Sequence, residues 1–350
     1  MKDIHFSFLK TTLVCVVLVQ VLVAHSQSIL IDTIWRQVFD TNCCGWTGGD
    51  GVYSIPLKDG RSIFIFGDTY LGEVKDDNSR ANTSPAIKNS LVIYDEGKIE
   101  TLFDQTGEKP KPFFQTNESD STWYWPGHGY EFDGQINFFL SEFKATGSGV
   151  FGFEWVGTSI AQIGTKNIED ASPTIVKWEH NTDIHFGNAT LVDKDYLYAF
   201  GIRAFQVYVA RSKLGVFEWE YLSNGAWIEE ANESMSLNGV YVSEQFSVFK
   251  SQDKFVILSQ GAMLGKEIFT YTSLDLVRGW SKPKEIYSTK EPLSDSTLIT
   301  YNALAHPQFI NNDELLVSYC VNSTDFLSIY RDVDRYRPRF IRVPLRLILE

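Results

Sequence analysis

Asp50 lies in the run Trp46-Thr47-Gly48-Gly49-Asp50-Gly51, and Asp68 in Phe66-Gly67-Asp68-Thr69. Between them come an alternating segment from Val52 to Leu57, a turn at Lys58-Asp59-Gly60, and a second apolar segment from Arg61 to Phe66. Antiparallel strands run out and back, so a hairpin returns its two ends to one place. Adjacent strands are only about 5 Å apart, so carboxylates at both ends push each other's pKa values apart, leaving one ionised and one protonated. Glycoside hydrolysis needs that pairing. One carboxylic acid protonates the leaving oxygen, and a second carboxylate attacks the anomeric carbon or activates water. Asp50 is read as base or nucleophile and Asp68 as acid, with Glu244 of Ser243-Glu244-Gln245 a second candidate acid.

Further polar side chains recur at corresponding places. His128, Asn188 and His306 stand at the starts of later strand pairs, and Glu142, Arg203 and Gln260 at their ends. With the aromatic residues Tyr301, Trp46 and Trp125 they form the expected substrate-binding set. Each also has a structural reading: a turn carboxylate, a hydrogen-bonded buried histidine, an aromatic ring in ordinary packing. Two histidines among carboxylates make a metal centre only if three or more ligands and their supporting groups converge. No metal or other cofactor is assigned.

The elements that must position these residues are strands. Ser62 to Phe66, Tyr196 to Phe200 and Phe255 to Leu258 alternate or run apolar over strand lengths, each bounded by Asp, Asn, Gly or Lys turns. A unit of polar lead, hairpin and outer strand occurs five times, with leads Asp50, His128, Asn188, Glu244 and His306 separated by 56 to 78 residues. Repetition at that period predicts an all-β, five-bladed β-propeller, with a β-sandwich as the alternative. The leads and the returning strand ends then ring one face of the disc. The segment Ile29 to Phe39 reads as a strand that completes the last blade and closes the ring.

The 350-residue chain carries a formal net charge of −13 and no run of Lys or Arg. It lacks the footprint of a phosphate-neutralising surface, so nucleic acid is not an expected partner. Lys2 and Lys10, an apolar run from Thr11 to Ala24 and the small residues before Gln27 have the layout of a signal peptide. The expectation is a secreted protein, periplasmic or extracellular, with residues 1–26 as the signal and 27–350 as one monomeric domain with no membrane span. That leaves Cys43, Cys44 and Cys320, an odd number, with a bridge expected from Cys320 to Cys43 or Cys44.

The runs around Asp50 and Asp68, continued by Tyr70-Leu71-Gly72 and Asn89-Ser90-Leu91-Val92, resemble the bacterial propeller families catalogued as domains of unknown function 4185 and 5005. Trp125-Pro126-Gly127, Ser243-Glu244-Gln245-Phe246-Ser247 and Tyr301-Asn302-Ala303-Leu304-Ala305-His306-Pro307 look like their later blade leads. The first family includes endo-D-arabinanases of glycoside hydrolase family 183. The resemblance implies an acidic pair at Asp50 and Asp68 and a furanose-containing polysaccharide or oligosaccharide substrate. His128 departs from it, standing where an acidic residue is familiar. A non-catalytic glycan-binding propeller and a metal-dependent hydrolase of lactones or phosphoesters using His128 and His306 are the other readings.

Overall fold

The computed structural model describes residues 29–43, 45–116, 121–147, 149, 152–180 and 182–350. The expected signal segment and Cys44 lie outside them. The chain is all-β. Sheet one contains Tyr53–Pro56, Ser62–Phe66, Ser90–Asp95 and Lys98–Leu102 in that order. Sheet two contains Thr122–Phe132, Gln135–Ala145, Phe153–Gly164 and Thr174–Lys177. Sheet three runs from His185–Asp193 through Tyr196–Arg203, Gln206–Lys213 and Glu220–Ser223 to Ala226–Ile228. Sheet four contains Phe246–Ser251, Lys254–Gln260, Glu267–Ser273 and Lys284–Ser288. Sheet five contains Leu298–Asn311, Glu314–Ser323, Arg339–Pro344 and, at its edge, Leu30–Ile31. A smaller sheet joins Gly45–Gly49, Thr69–Gly72 and Ala86–Ile87.

Each main sheet is an antiparallel meander whose turns follow from local chemistry. Asp133-Gly134 and Asn312-Asp313 form two-residue hairpin loops with both residues at positive φ, a conformation that Asp, Asn and Gly tolerate best. The first strands of the five sheets touch in a cycle. Tyr53–Pro56 meets Thr122–Phe132, which meets His185–Asp193, then Phe246–Ser251, then Leu298–Asn311, which returns to Tyr53–Pro56. Five sheets in a cycle are not the two facing sheets of a sandwich.

Hydrogen bonds join those first strands around the centre. Thr190 N–H donates to His128 Nδ1 at 3.1 Å, so the ring's Nε2–H donates to the Ser54 carbonyl at 3.2 Å, linking sheets three, two and one. Tyr53 Oη donates to the Asn188 carbonyl at 2.5 Å, and Asn188 Nδ2 to the Glu244 carbonyl at 2.7 Å. Ala305 N–H donates to Ser247 Oγ at 2.9 Å. Ser54 Oγ lies 2.7 Å from His306 Nδ1, whose other nitrogen meets Ser318 Oγ at 2.8 Å. Hydrophobic clusters fill the wedges between sheets, such as Ile55, Ile65, Phe138 and Ile163 between sheets one and two.

The sheets approach so closely that side chains are excluded at some points. A Cβ on Gly127 would lie 2.2 Å from the Gly187 carbonyl oxygen.

Two expectations at the chain ends are corrected. Only Leu30–Ile31 of the segment 29–39 is strand, pairing with Arg342 and Ile341 at the edge of sheet five; Thr33–Val38 is a helix. Asp32 caps that helix, accepting from Trp35 N–H at 2.9 Å. The turn drops Trp35 among Phe64, Tyr94, Phe309 and Phe340, a burial that a continuing edge strand would not provide. Cys320 is a free thiol, fully buried. It accepts Gly51 N–H at 3.3 Å on sheet five's second strand, while Cys43 is exposed, so among the described residues the expected bridge is absent.

Candidate active site

Asp50 and Asp68 face each other where sheet one's first hairpin meets the small sheet. Asp50 N–H donates to the Asp68 carbonyl at 3.3 Å, and Gly67 N–H to the Asp50 carbonyl at 2.7 Å. Two residues, Gly67 and Asp68, thus oppose one, in the manner of a β-bulge, a device that re-aims side chains beside active sites. A Cβ on Gly67 would lie 2.9 Å from Asp50 Oδ1 and push that carboxylate aside.

The two carboxylates have different surroundings. Asp50 Oδ2 accepts the Tyr301 hydroxyl at 2.8 Å, and Asn322 Nδ2 donates to that phenol oxygen at 3.3 Å, turning the phenol proton toward Asp50. The Tyr336 hydroxyl is a second donor to the carboxylate. Burial, with the Asp68 charge second, outweighs these donors and raises the Asp50 pKa to about 6. Asp68 is more open. Its Oδ1 accepts Trp125 Nε1–H at 2.9 Å and meets Lys88 Nζ at 3.3 Å. Among the described residues nothing engages Asp68 Oδ2. The Lys88 ammonium also lies 5.0 Å and 5.5 Å from the ring centres of Trp123 and Trp125.

A buried cation lies against the strand Gly45–Gly49. Arg80 donates to the Thr47 carbonyl at 3.0 Å and lies 4.6 Å from the Tyr70 ring centre, with no carboxylate paired to it among the described residues. Burial and the neighbouring Arg337 lower its pKa to about 10, so it remains charged at neutral pH. Tyr70 meets both Tyr330 and Tyr336 edge to face beside it.

The expected site residues divide. Asp50, Asp68, Trp125 and Tyr301 come together. Glu244 stands elsewhere on the ring, at the entry to sheet four. Its side chain reaches solvent from a concave setting, desolvation raises its pKa, and its charge is felt at Tyr53 rather than Asp50. Gln245 beside it is close to Gly51 and has a buried Oε1 without a partner.

The others are placed differently. His128, Asn188 and His306 form the inter-sheet hydrogen bonds described above. Both histidines are neutral, burial lowering His128 to about 4 and His306 to about 3. Gln260 is fully buried, donating to the Gly265 carbonyl at 2.8 Å and Thr300 Oγ1 at 3.0 Å. Trp46 is core, packed on Phe39 and Phe66. Arg203 pairs with Asp183 at 2.9 Å and Tyr208 Oη at 2.8 Å within its own sheet region. Strand alternation turns Glu142 away from the Trp125 face, into a cleft with Tyr124, Lys144 and Lys177. Among the described residues no three His, Cys, Asp or Glu side chains are grouped to hold a metal ion.

Lys88, Tyr336, Gln245 and Asn322 were missed as site residues. Lys88 precedes Asn89 in a run already singled out, and Gln245 follows Glu244. Tyr336 and Asn322 have no local signal, because a sheet-five strand (Asn322) and the short helix Val333–Tyr336 bring them in from the far end of the chain.

Comparison with solved structures returns the same arrangement of antiparallel sheets. A Bacteroides ovatus crystal structure matches with a TM-score of 0.76 at 18% identity, covering 90% of each chain. The catalytic domain of the Coprinopsis cinerea GH62 α-L-arabinofuranosidase matches with a TM-score of 0.50 at 9% identity, covering 87% of this chain and 95% of that one. At these identities the likeness establishes the fold. No curated protein sequence matches significantly. The chain belongs to the family described as Domain of unknown function (DUF5005), which it matches over residues 32–344.

Proposed function

We propose that the protein is a secreted glycoside hydrolase, a single five-bladed β-propeller over residues 27–350, that acts on a furanose-containing, arabinan-like polysaccharide. The carrying observation is the asymmetry of the facing carboxylates Asp50 and Asp68. The likeness to a fold that includes an α-L-arabinofuranosidase catalytic domain supports the substrate class.

The surroundings favour roles opposite to those expected from sequence. Asp50, with its pKa raised to about 6 by burial and by Asp68, is suited to hold a proton and deliver it to the glycosidic oxygen. Asp68, bound through Oδ1 to Lys88 and the Trp125 indole, offers Oδ2 to the anomeric carbon or to a water molecule. Phenols on Asp50 keep the acid oriented.

Incubation of the purified protein with arabinans and related glycans should release oligosaccharides. Asp50→Asn and Asp68→Asn should each lower kcat by at least about a thousandfold, since both groups act in the transition state. Glycan binding without turnover by the wild type would replace this reading with a binding role.

A further inference from the structure

Five large aromatic side chains extend from Trp125, which is bonded to Asp68, and belong to none of the five hydrophobic clusters: Trp123, Trp125, Phe143, Phe153 and Trp155. All are partly exposed. They share one face of sheet two, with Trp123, Phe143 and Trp155 opposite one another across three strands. A register shift creates this row. Glu142 pairs with Gly157 but Phe143 with Trp155, so Val156 is bulged out and Trp155 takes the aromatic face. Trp125 lies 4.8 Å from Phe143 and 4.9 Å from Phe153, centre to centre, and His185 stacks on Trp155 at 4.9 Å. The inner end of the row is Trp125, whose indole is bonded to Asp68.

Partly exposed apolar side chains grouped beside a polar cleft mark binding surfaces. With strands about 4.8 Å apart, the row is about 10 Å long, which spans about two sugar residues. Aromatic faces meet the C–H faces of sugars, while the sugar hydroxyls stay in water.

We propose that this row is a stacking platform for consecutive residues of a glycan chain, entering from the Trp155 end and delivering its bond to the carboxylates at Trp125. The inference rests on the hydrolase reading only for the position of the cut. It makes the substrate a chain of at least three sugars rather than a terminal monosaccharide.

The test uses the Asp50→Asn protein, which retains the platform, titrated with arabino-oligosaccharides of two to six residues and followed by calorimetry and tryptophan fluorescence. Affinity should rise with length up to three or four residues. Adding Trp155→Ala or Phe153→Ala should weaken binding of the longer chains about tenfold and leave the disaccharide unchanged, with Trp155→Phe partly restoring it and the melting transition unmoved. Length-independent affinity, no binding at any length, or equal weakening at every length would overturn the platform. Hydrolysis by the wild type is scored separately: length-dependent binding without cleavage keeps the platform and removes the hydrolase reading.

Discussion

Removing the Tyr301 hydroxyl tests the assignment of acid and base. Tyr301 donates to Asp50 Oδ2 at 2.8 Å, a bond that favours the ionised carboxylate and holds its pKa below what burial alone would produce. A hydrogen bond to a charged group contributes about 1.5–3 kcal/mol, and one pKa unit corresponds to about 1.4 kcal/mol. Tyr301→Phe should therefore raise the Asp50 pKa by about one to two units from its value near 6. If Asp50 is the acid, kcat/KM falls as it deprotonates, and the variant's alkaline limb moves from about pH 6 to between about 7 and 8. If Asp50 is the base, the acidic limb moves up instead and activity at pH 6.5 drops. The assay is kcat/KM against pH for both proteins, paired with carbon NMR titration of the Asp50 carboxyl, which needs no substrate. An acidic limb that moves, or limbs and resonance that both stay in place, refutes the assignment of Asp50 as acid.

Four further outcomes follow from the same geometry. Asp50 holds its proton more tightly in the fold than the unfolded value of 3.8, so wild-type stability is lost as pH rises from about 4 to 6; Asp50→Asn should be up to about 3 kcal/mol more stable than wild type at pH 7, with the gap closing near pH 4 in denaturant titrations. His128, His185 and His306 are held neutral by burial, with pKa values of about 4, 3 and 3. The unfolded chain takes up protons below about 6.5, so stability should fall from there downward, and His306→Gln should flatten part of that slope. Gly127→Ala, which forces a Cβ onto the Gly187 carbonyl at 2.2 Å, should cost at least about 2 kcal/mol of unfolding free energy or prevent folding. Lys88→Met should lower kcat/KM at least about tenfold while leaving circular dichroism unchanged, because it removes the cation on Asp68 Oδ1.

The strands and their grouping were readable because period-two alternation and Asp, Asn and Gly turns are local signals. The hairpin from Val52 to Phe66 shows this. Its ends alone define the Asp50 and Asp68 positions. What the residue types could not distinguish was whether a polar lead is free or spent on its neighbours. His128, Asn188 and His306 recur at corresponding places as expected, yet the first strands converge there and their polar atoms find partners on the next sheet. A free lead and a bonded one look alike in sequence. Trp46 was misplaced for a related reason: alternation puts it on the face covered by Phe39, and that cover comes from a capped helix where a strand was expected.

This division explains how one ring carries both a rigid frame and a reactive mouth. The inner staples are neutral: imidazoles, hydroxyls, amides and carbonyls that bond to one another between all five sheets, so they tie those strands together without adding charge. The charges of the candidate site are Asp50, Asp68 and Lys88, joined by the phenols of Tyr301 on sheet five and of Tyr336 on the short helix Val333–Tyr336. Because Tyr301 and Asn322 lie on neighbouring strands of sheet five, the donors to Asp50 are set by contact between the last sheet and the first. Closing the ring therefore completes the acid's surroundings, and loosening that seam at Gly51 and Cys320, where they meet at 3.3 Å, should disturb the carboxylate pair before it unfolds the other four sheets.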